Sequence, residues 1–268
     1  MRQFGLLGYP LSHSFSRGYF SEKFKRETID AQYDNFALSS IEQLPQLIVE
    51  NMQLVGLNVT IPYKQSVIPY LDALDPEAEA IGAVNTIKIE RNEKGKPRLV
   101  GYNSDLVGFR ESIRHYVENL RNALQLHLSE KVIPNVGGPL KALILGTGGA
   151  SKAVEYGLKQ LGVEVLFVSR TPEPGRITYE NLGRSFYNEY HIIVNTTPLG
   201  MYPNVNTCPP IDYLSIGPHH LLFDAVYNPE KTLFLEKGEK QGAAIKNGLE
   251  MLRLQAEASW KIWNTRID

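Results

Sequence analysis

Two features of this chain have residue types and a spacing that could do chemistry. They are the glycine run Gly146-Thr147-Gly148-Gly149-Ala150-Ser151 and the cation Arg170 that follows it. Glycines at a strand-to-helix turn let backbone N–H groups approach a pyrophosphate, and the positive end of the helix favours that anion. The flanking sequence supplies such a turn. Leu143-Ile144-Leu145 is an apolar run of strand type. Beyond the glycines, Ala150, Ala153, Val154, Gly157, Leu158 and Leu161 recur at the spacing of one helical face. Gly162 then serves as a C-terminal cap, and Val163 to Val168 resumes as a β-branched strand. Strand, glycine turn, helix and strand form a right-handed βαβ unit. Gly146, Gly148, Gly149 and Ala150 are therefore read as dinucleotide-binding, although Ser151 takes the third glycine position. A nucleotide-hydrolase loop is excluded, because Gly149-Ala150-Ser151-Lys152 lacks the order Gly-Lys-Ser/Thr.

The end of the second strand narrows the ligand. A site for the unphosphorylated cofactor places an acid about 20 residues beyond the glycines, to hold the ribose 2′-hydroxyl. Here the strand ends Val168-Ser169-Arg170-Thr171, with a cation, two hydroxyls and no carboxylate. That set suits a 2′-phosphate, so Ser169, Arg170 and Thr171 are assigned to NADP. The competing reading of Arg170 is a solvated surface side chain.

Bulk properties set the class. The chain has 268 residues, 43% hydrophobic and 21% charged, which fits a globular protein of one large or two modest domains. A net charge of -1 gives no general attraction to nucleic acid or to an anionic membrane. Cys208 is the only cysteine and the six histidines lack ligand spacing, so neither a disulfide framework nor a metal is expected. No apolar run reaches the length of a membrane span and no signal segment is recognised at the start, which makes a cytoplasmic enzyme the expectation.

The elements that must position this chemistry alternate strand and helix, which argues for an α/β fold. Strands are expected at Phe4–Leu7, Tyr33–Phe36, Leu57–Thr60, Thr86–Glu90 and Arg98–Tyr102, the last two flanking a polar hairpin. A helix carries Phe20 and Phe24 on one face, another spans Ile41–Asn51, and short helices are expected at Lys64–Leu71 and Glu77–Ile81. A long helix runs from Asp105 toward Leu128, and Ile133–Leu140 is a Pro/Gly-rich connection. After the nucleotide unit come strands at His191–Asn195 and Leu221–Val226, a helix at Thr232–Lys240, and a closing helix from Gly248 to about Trp263. On that last helix Leu249, Leu252, Ala256, Trp260 and Trp263 share a face.

Five separated segments carry a resemblance. They are Ser12-His13-Ser14-Phe15-Ser16, Asn58-Val59-Thr60-Ile61-Pro62-Tyr63-Lys64, Gly82-Ala83-Val84-Asn85-Thr86, Asn103-Ser104-Asp105 and Gly248-Leu249-Glu250-Met251-Leu252. In this order and over almost the whole chain, the sequence resembles the shikimate dehydrogenase family. The resemblance implies a substrate domain from residues 1–104 and 248–268, with an NADP-binding Rossmann domain over 105–247 and the active site in the cleft between them. It implies reversible, NADP-dependent reduction of 3-dehydroshikimate to shikimate in aromatic amino-acid biosynthesis, by a monomer or homodimer.

Residue by residue, Lys64 matches the family's catalytic lysine and Asp105 its partner carboxylate. Hydride addition to a ketone builds charge on oxygen, and a positioned acid must supply a proton. A free lysine, with a pKa near ~10.4, is slow at this; desolvation would lower that value and Asp105 would raise it. Without the resemblance, Lys64 reads as a helix-start surface lysine and Asp105 as the N-cap of the helix it precedes. Ser14, Ser16, Thr60, Asn85, Tyr227 and Gln255 match the family's substrate contacts, a donor set suited to three hydroxyls and a carboxylate. Ala225 and Gly248 are added to the cofactor set. Departures from the family pattern include Tyr9, Arg17, Tyr102, Leu106 and Asn247. Pro174 stands where a second phosphate-clamping arginine is usual, with Arg176 just beyond. Two rival readings remain: an NAD-dependent quinate/shikimate dehydrogenase, and a non-catalytic metabolite-sensing module on the same fold.

Overall fold

A computed structural model gives the fold and describes residues 1–11, 15–129 and 139–265. The chain divides into two compact units, one of Met1–Ser104 with Ala256–Asp268 and one of Asp105–Gln255. The closing helix is shared between them: Met251 packs in the core of the second unit, whereas Ala256 and Trp263 pack in that of the first.

The first unit is built from β1 (Arg2–Gly8), α1 (Phe15–Arg26), β2 (Ala31–Ala37), α2 (Leu44–Glu50), β3 (Leu54–Val59), β4 (Ala73–Leu74), α3 (Pro76–Ile81), β5 (Thr86–Arg91) and β6 (Pro97–Tyr102). Its six-stranded sheet has the order β2-β1-β3-β5-β6-β4. β1 runs parallel to β2 and β3, while β5 lies antiparallel to β3 and β6. Alternation along β1 supplies both faces of this sheet. Phe4 and Leu6 pack with Phe20, Phe24 and Trp263, whereas Leu7 joins Leu44, Leu47, Leu57 and Val59.

The second unit contains α4 (Ser104–Ser129), β7 (Leu140–Leu145), α5 (Gly149–Gln160), β8 (Val163–Ser169), β9 (Arg176–Thr178), β10 (Tyr190–Asn195), β11 (Leu221–Asp224), α6 (Leu233–Lys240), β12 (Ala244–Asn247) and the first part of α7 (Leu249–Asn264). Its six strands are ordered β12-β11-β10-β7-β8-β9, and every pairing is parallel. Such a sheet must be covered on both faces. Ala142 and Ile144 face Phe109, Ile113, Val154 and Leu158, while Leu143 and Leu145 face Phe234 and Leu235. Full burial of Val154 and Leu158 contributes ~1.5–3 kcal/mol each to seating α5. Gly162, at φ 69°, ends that helix by donating to the Lys159 carbonyl at 2.9 Å.

Three local expectations are corrected. No α-helix forms over residues 64–71. The segment is a set of turns with one 3-10 turn at Ile68–Tyr70, since Pro69 has no N–H for an i−4 bond. The helix expected at Ile41–Asn51 begins as a 3-10 turn over Ile41–Gln43, for the same reason at Pro45. The strand expected at Leu221–Val226 stops at Asp224, whose carboxylate accepts the Val226 N–H at 3.0 Å and turns the chain. The strands β4, β9 and β12, of two to four residues, are too brief to show a period. Much of the connection expected at Ile133–Leu140 lies outside the described residues.

One buried pair makes acid stability testable. His191 and His220 have ring centroids 5.9 Å apart, and both are buried. Gly217 donates to His220 Nδ1 at 3.0 Å, so the neutral ring donates from Nε2 to the Tyr187 carbonyl at 2.9 Å. Burial holds the His191 imidazole down at about 4 and lowers that of His220. A depressed histidine stabilises the fold fully above the ordinary value of 6.5, and that stability is lost as pH falls toward 4. Burial also raises Asp224 to about 6, and this carboxyl works in the opposite sense over much of the same range. Wild-type acid stability therefore mixes two signs, and a difference measurement separates them. Relative to wild type, His191→Gln should gain on the order of 3 kcal/mol between pH 7 and pH 4 in chemical denaturation. A constant difference across that range would show that His191 titrates normally in the folded chain.

Candidate active site

In the first unit, Thr60, Lys64 and Asn85 lie at one end of the sheet's central strands. Ser16 follows β1, Thr60 and Lys64 follow β3, and Asn85 precedes β5. Because β3 is parallel to β1 and antiparallel to β5, with Asn58 opposite Thr86, those strand ends meet at the same end of the sheet. Backbone bonds tie them together. Thr60 N–H donates to the Leu7 carbonyl at 2.8 Å, Val59 N–H to Asn85 O at 2.8 Å, and Val84 N–H to Lys64 O at 2.7 Å. Lys64 thus sits on a turn rather than at a helix start. It is half-buried between the buried anchors Tyr63 and Val67.

Asn85 is buried and held by Ser104, whose N–H donates to Asn85 Oδ1 at 2.6 Å. The next residue, Asp105, is also buried. It lies in the first turn of α4, which begins at Ser104, rather than at the N-cap position expected from sequence. The first turn still suits a carboxylate, through the partial positive charge of the helix start. Ser16 is buried in the first turn of α1 and is hydrogen-bonded to Tyr33. Ser14 lies outside the described residues.

In the second unit, the singled-out residues lie at the carboxyl ends of the parallel strands, where ligands bind in open α/β sheets. Gly146 follows β7 at φ 101°, and a side chain there would meet Thr197 Cγ2 at 2.9 Å and Thr196 Oγ1 at 3.0 Å. The fold itself requires that glycine. Gly148 is different. Its φ of -75° suits any residue, and a Cβ would meet no protein atom within 4 Å. It is also the N-cap of α5, and no side chain caps that helix. Open space in front of an uncapped helix start is what a pyrophosphate needs, so the residues fit the cofactor. Gly149 and Ala150 open α5 beside it. Ser151, in the third glycine position, is buried and donates to Gly148 O at 2.7 Å.

Around this turn, Ser169 is buried and donates to the Thr171 carbonyl, which fixes the chain on both sides of Arg170. Arg170 itself is exposed, and among the described residues no carboxylate pairs with it. Arg176 is already engaged, by Glu173 and by the Phe167 ring 5.9 Å from its guanidinium carbon. Ala225 and Gly248 are brought together: a Cβ on Gly248 would lie 2.3 Å from the Ala225 carbonyl oxygen. Tyr227 is 38% exposed, and burial raises its phenol above the usual range. Gln255 is buried and donates to the Leu252 carbonyl at 3.0 Å.

Sequence reading missed the buried knot beneath these loops. Asn195 Nδ2 donates to Asp224 Oδ1 at 3.0 Å, Asn195 Oδ1 accepts the Thr197 hydroxyl at 2.6 Å, and Thr232 donates to Asp224 Oδ2 at 2.5 Å. The signal was available, since polar residues end two otherwise apolar strands. Such residues fix the loops that follow.

Comparison with known proteins gives consistent matches. The profile of the shikimate dehydrogenase substrate-binding domain matches residues 6–87. Over 97% of this chain and 90% of its own length, the NADP(+)-dependent shikimate dehydrogenase of Carboxydothermus hydrogenoformans is 35% identical. A shikimate dehydrogenase crystallised with NADP+ superposes with a TM-score of 0.79 at 31% identity, covering 98% of this chain and 90% of that one. The shikimate 5-dehydrogenase of Thermus thermophilus, in complex with NADP(H) and shikimate, gives 0.78 at 28% identity over 98% and 94%.

Proposed function

Because this chain belongs to the shikimate dehydrogenase family, we propose that Lys64 and Asp105 carry out the family's reaction in it. That reaction is the reversible NADP-dependent reduction of 3-dehydroshikimate to shikimate, in aromatic amino-acid biosynthesis. The observation that carries the proposal is the set of backbone hydrogen bonds that brings the segments carrying Thr60, Lys64 and Asn85 together at one end of the sheet's central strands, with Asp105 next in sequence to the residue that holds Asn85.

When bound, the reduced cofactor supplies a hydride to the ketone carbon. The protein's part is to stabilise the charge that builds on the ketone oxygen and to protonate it. Lys64 does this from its ammonium, and Asp105 aligns that group. Ser16, Thr60, Asn85, Tyr227 and Gln255 bind the substrate hydroxyls and carboxylate, and Ser14, outside the described residues, completes that set. The α5 N-terminus at Gly148, Gly149 and Ala150 holds the pyrophosphate. Gly146 makes the turn, and Ala225 and Gly248 line the cofactor from the next strands. Ser169, Arg170 and Thr171 take the 2′-phosphate.

No helix among the described residues is long and apolar enough to cross a membrane. Our reading includes action in the cytoplasm as a monomer or homodimer. The test is a spectrophotometric assay of the purified chain with shikimate. NADPH should form in proportion to shikimate, and kcat/KM should favour NADP over NAD. Absence of shikimate-dependent NADPH formation would instead assign a non-catalytic, metabolite-sensing role.

A further inference from the structure

Behind Asn85 lies a buried polar network whose far end belongs to the closing helix. The hydroxyls of Thr86, Ser104 and Ser259 form a triangle with edges of 2.8, 3.0 and 2.9 Å. Thr86, Ser104 and Ser259 are all fully buried. Asn58 closes the network: its Nδ2 donates to Ser259 Oγ at 2.8 Å and to Thr86 Oγ1 at 3.3 Å, and its Oδ1 accepts the Tyr33 hydroxyl at 2.8 Å. Thr86 and Ser104 then reach Asn85.

Counting donors fixes which way Asn85 faces. The Ser104 backbone N–H can only donate, so the atom 2.6 Å from it must be Asn85 Oδ1. That oxygen also receives the Thr86 hydroxyl at 3.1 Å, so its capacity is taken inside the protein. Asn85 Nδ2 gives one hydrogen to Ser104 Oγ at 3.0 Å and keeps a second. Asn85 can therefore offer substrate a donor and not an acceptor. A hydroxyl has one hydrogen, and Thr86 gives its own to Asn85, so within the triangle Thr86 can only accept, and Ser259 is one of the two hydroxyls placed to hold it in that sense. Ser259 is the member farthest in sequence, delivered by a helix that otherwise presents Ala256 and Trp263 to the core.

We propose that Ser259, with Asn58, Thr86 and Ser104, is a positioning residue that locks the Asn85 amide as a hydrogen-bond donor toward an oxygen of the substrate. This rests on the reading of Asn85 as a substrate ligand, and the experiment separates the two. Ser259→Ala, Asn85→Ala and the double variant are assayed for KM of shikimate, KM of NADP and kcat.

Asn85→Ala should raise the KM for shikimate about tenfold, and Ser259→Ala about fivefold, both with KM for NADP and kcat little changed. The double variant should match Asn85→Ala alone, because a residue that acts through Asn85 has nothing left to position. If Asn85→Ala raises KM while Ser259→Ala leaves it unchanged, or if the two effects multiply, the positioning role is overturned and the ligand reading stands. An unchanged KM in Asn85→Ala overturns both. Should Ser259→Ala not fold, Asn58→Ser enters the same cycle, with the same outcomes.

Discussion

Lys64→Ala is expected to lower kcat by ~10²-fold or more, the usual scale for removing a proton-transfer group. KM for shikimate should change far less, since the loss falls on the transition state rather than on ground-state binding. The fold should tolerate the change. Lys64 is held through its backbone carbonyl, which accepts the Val84 N–H, and the buried Tyr63 and Val67 beside it anchor the turn. The Tm of the variant should thus stay close to that of wild type, so that lost activity cannot be ascribed to unfolding. A kcat that survives would make Lys64 scaffold. Lys64→Arg separates the two parts of the role, because a guanidinium keeps the charge but does not give up a proton at neutral pH. An Arg variant as slow as the Ala variant assigns proton transfer to Lys64. Recovery of most of kcat assigns charge stabilisation.

How much of this was legible in the sequence differs between the two units, for physical reasons. The nucleotide unit could be read directly, because the sheet around β7 is buried on both faces and its helix α5 shows one clean apolar stripe. Gly146 and Gly148 look alike in sequence, however, and only the structure separates their reasons: one is required by φ and by Thr196 and Thr197, while the other leaves open space. In the first unit the strands were legible, but over residues 64–71 the apolar spacing and Pro69 point opposite ways, and the proline prevails because it has no N–H for an i−4 bond. The networks of Asn58, Ser104 and Ser259, and of Asn195, Asp224 and Thr232, join residues far apart in sequence. No local period marks them. A serine on the apolar stripe of the closing helix, or an aspartate ending an apolar strand, was a sign that a buried polar partner had to exist. The shared closing helix was illegible for a related reason, because its apolar face runs on without a break while the core it packs into changes.

Arg170→Ala is expected to raise the KM for NADP by about 10- to 10²-fold, with little effect on NAD. A charge-assisted hydrogen bond to a phosphate contributes roughly 1.5–3 kcal/mol, which sets that range. Two features of the site favour the upper part of it. No carboxylate competes for Arg170 among the described residues, and Ser169 and Thr171 are bonded to each other so that the arginine leaves the strand end in a fixed direction. Arg176 cannot easily substitute, because moving to a 2′-phosphate would cost it both Glu173 and the face of Phe167. Exposure adds a second signature. A charge pair open to solvent is screened by salt. Raising ionic strength should therefore raise the KM for NADP in wild type, and do so much less in Arg170→Ala. Equal loss of NADP and NAD in the variant would show that Arg170 supports the loop rather than the phosphate. A salt dependence that persists in the variant would move the anion contact to another cation.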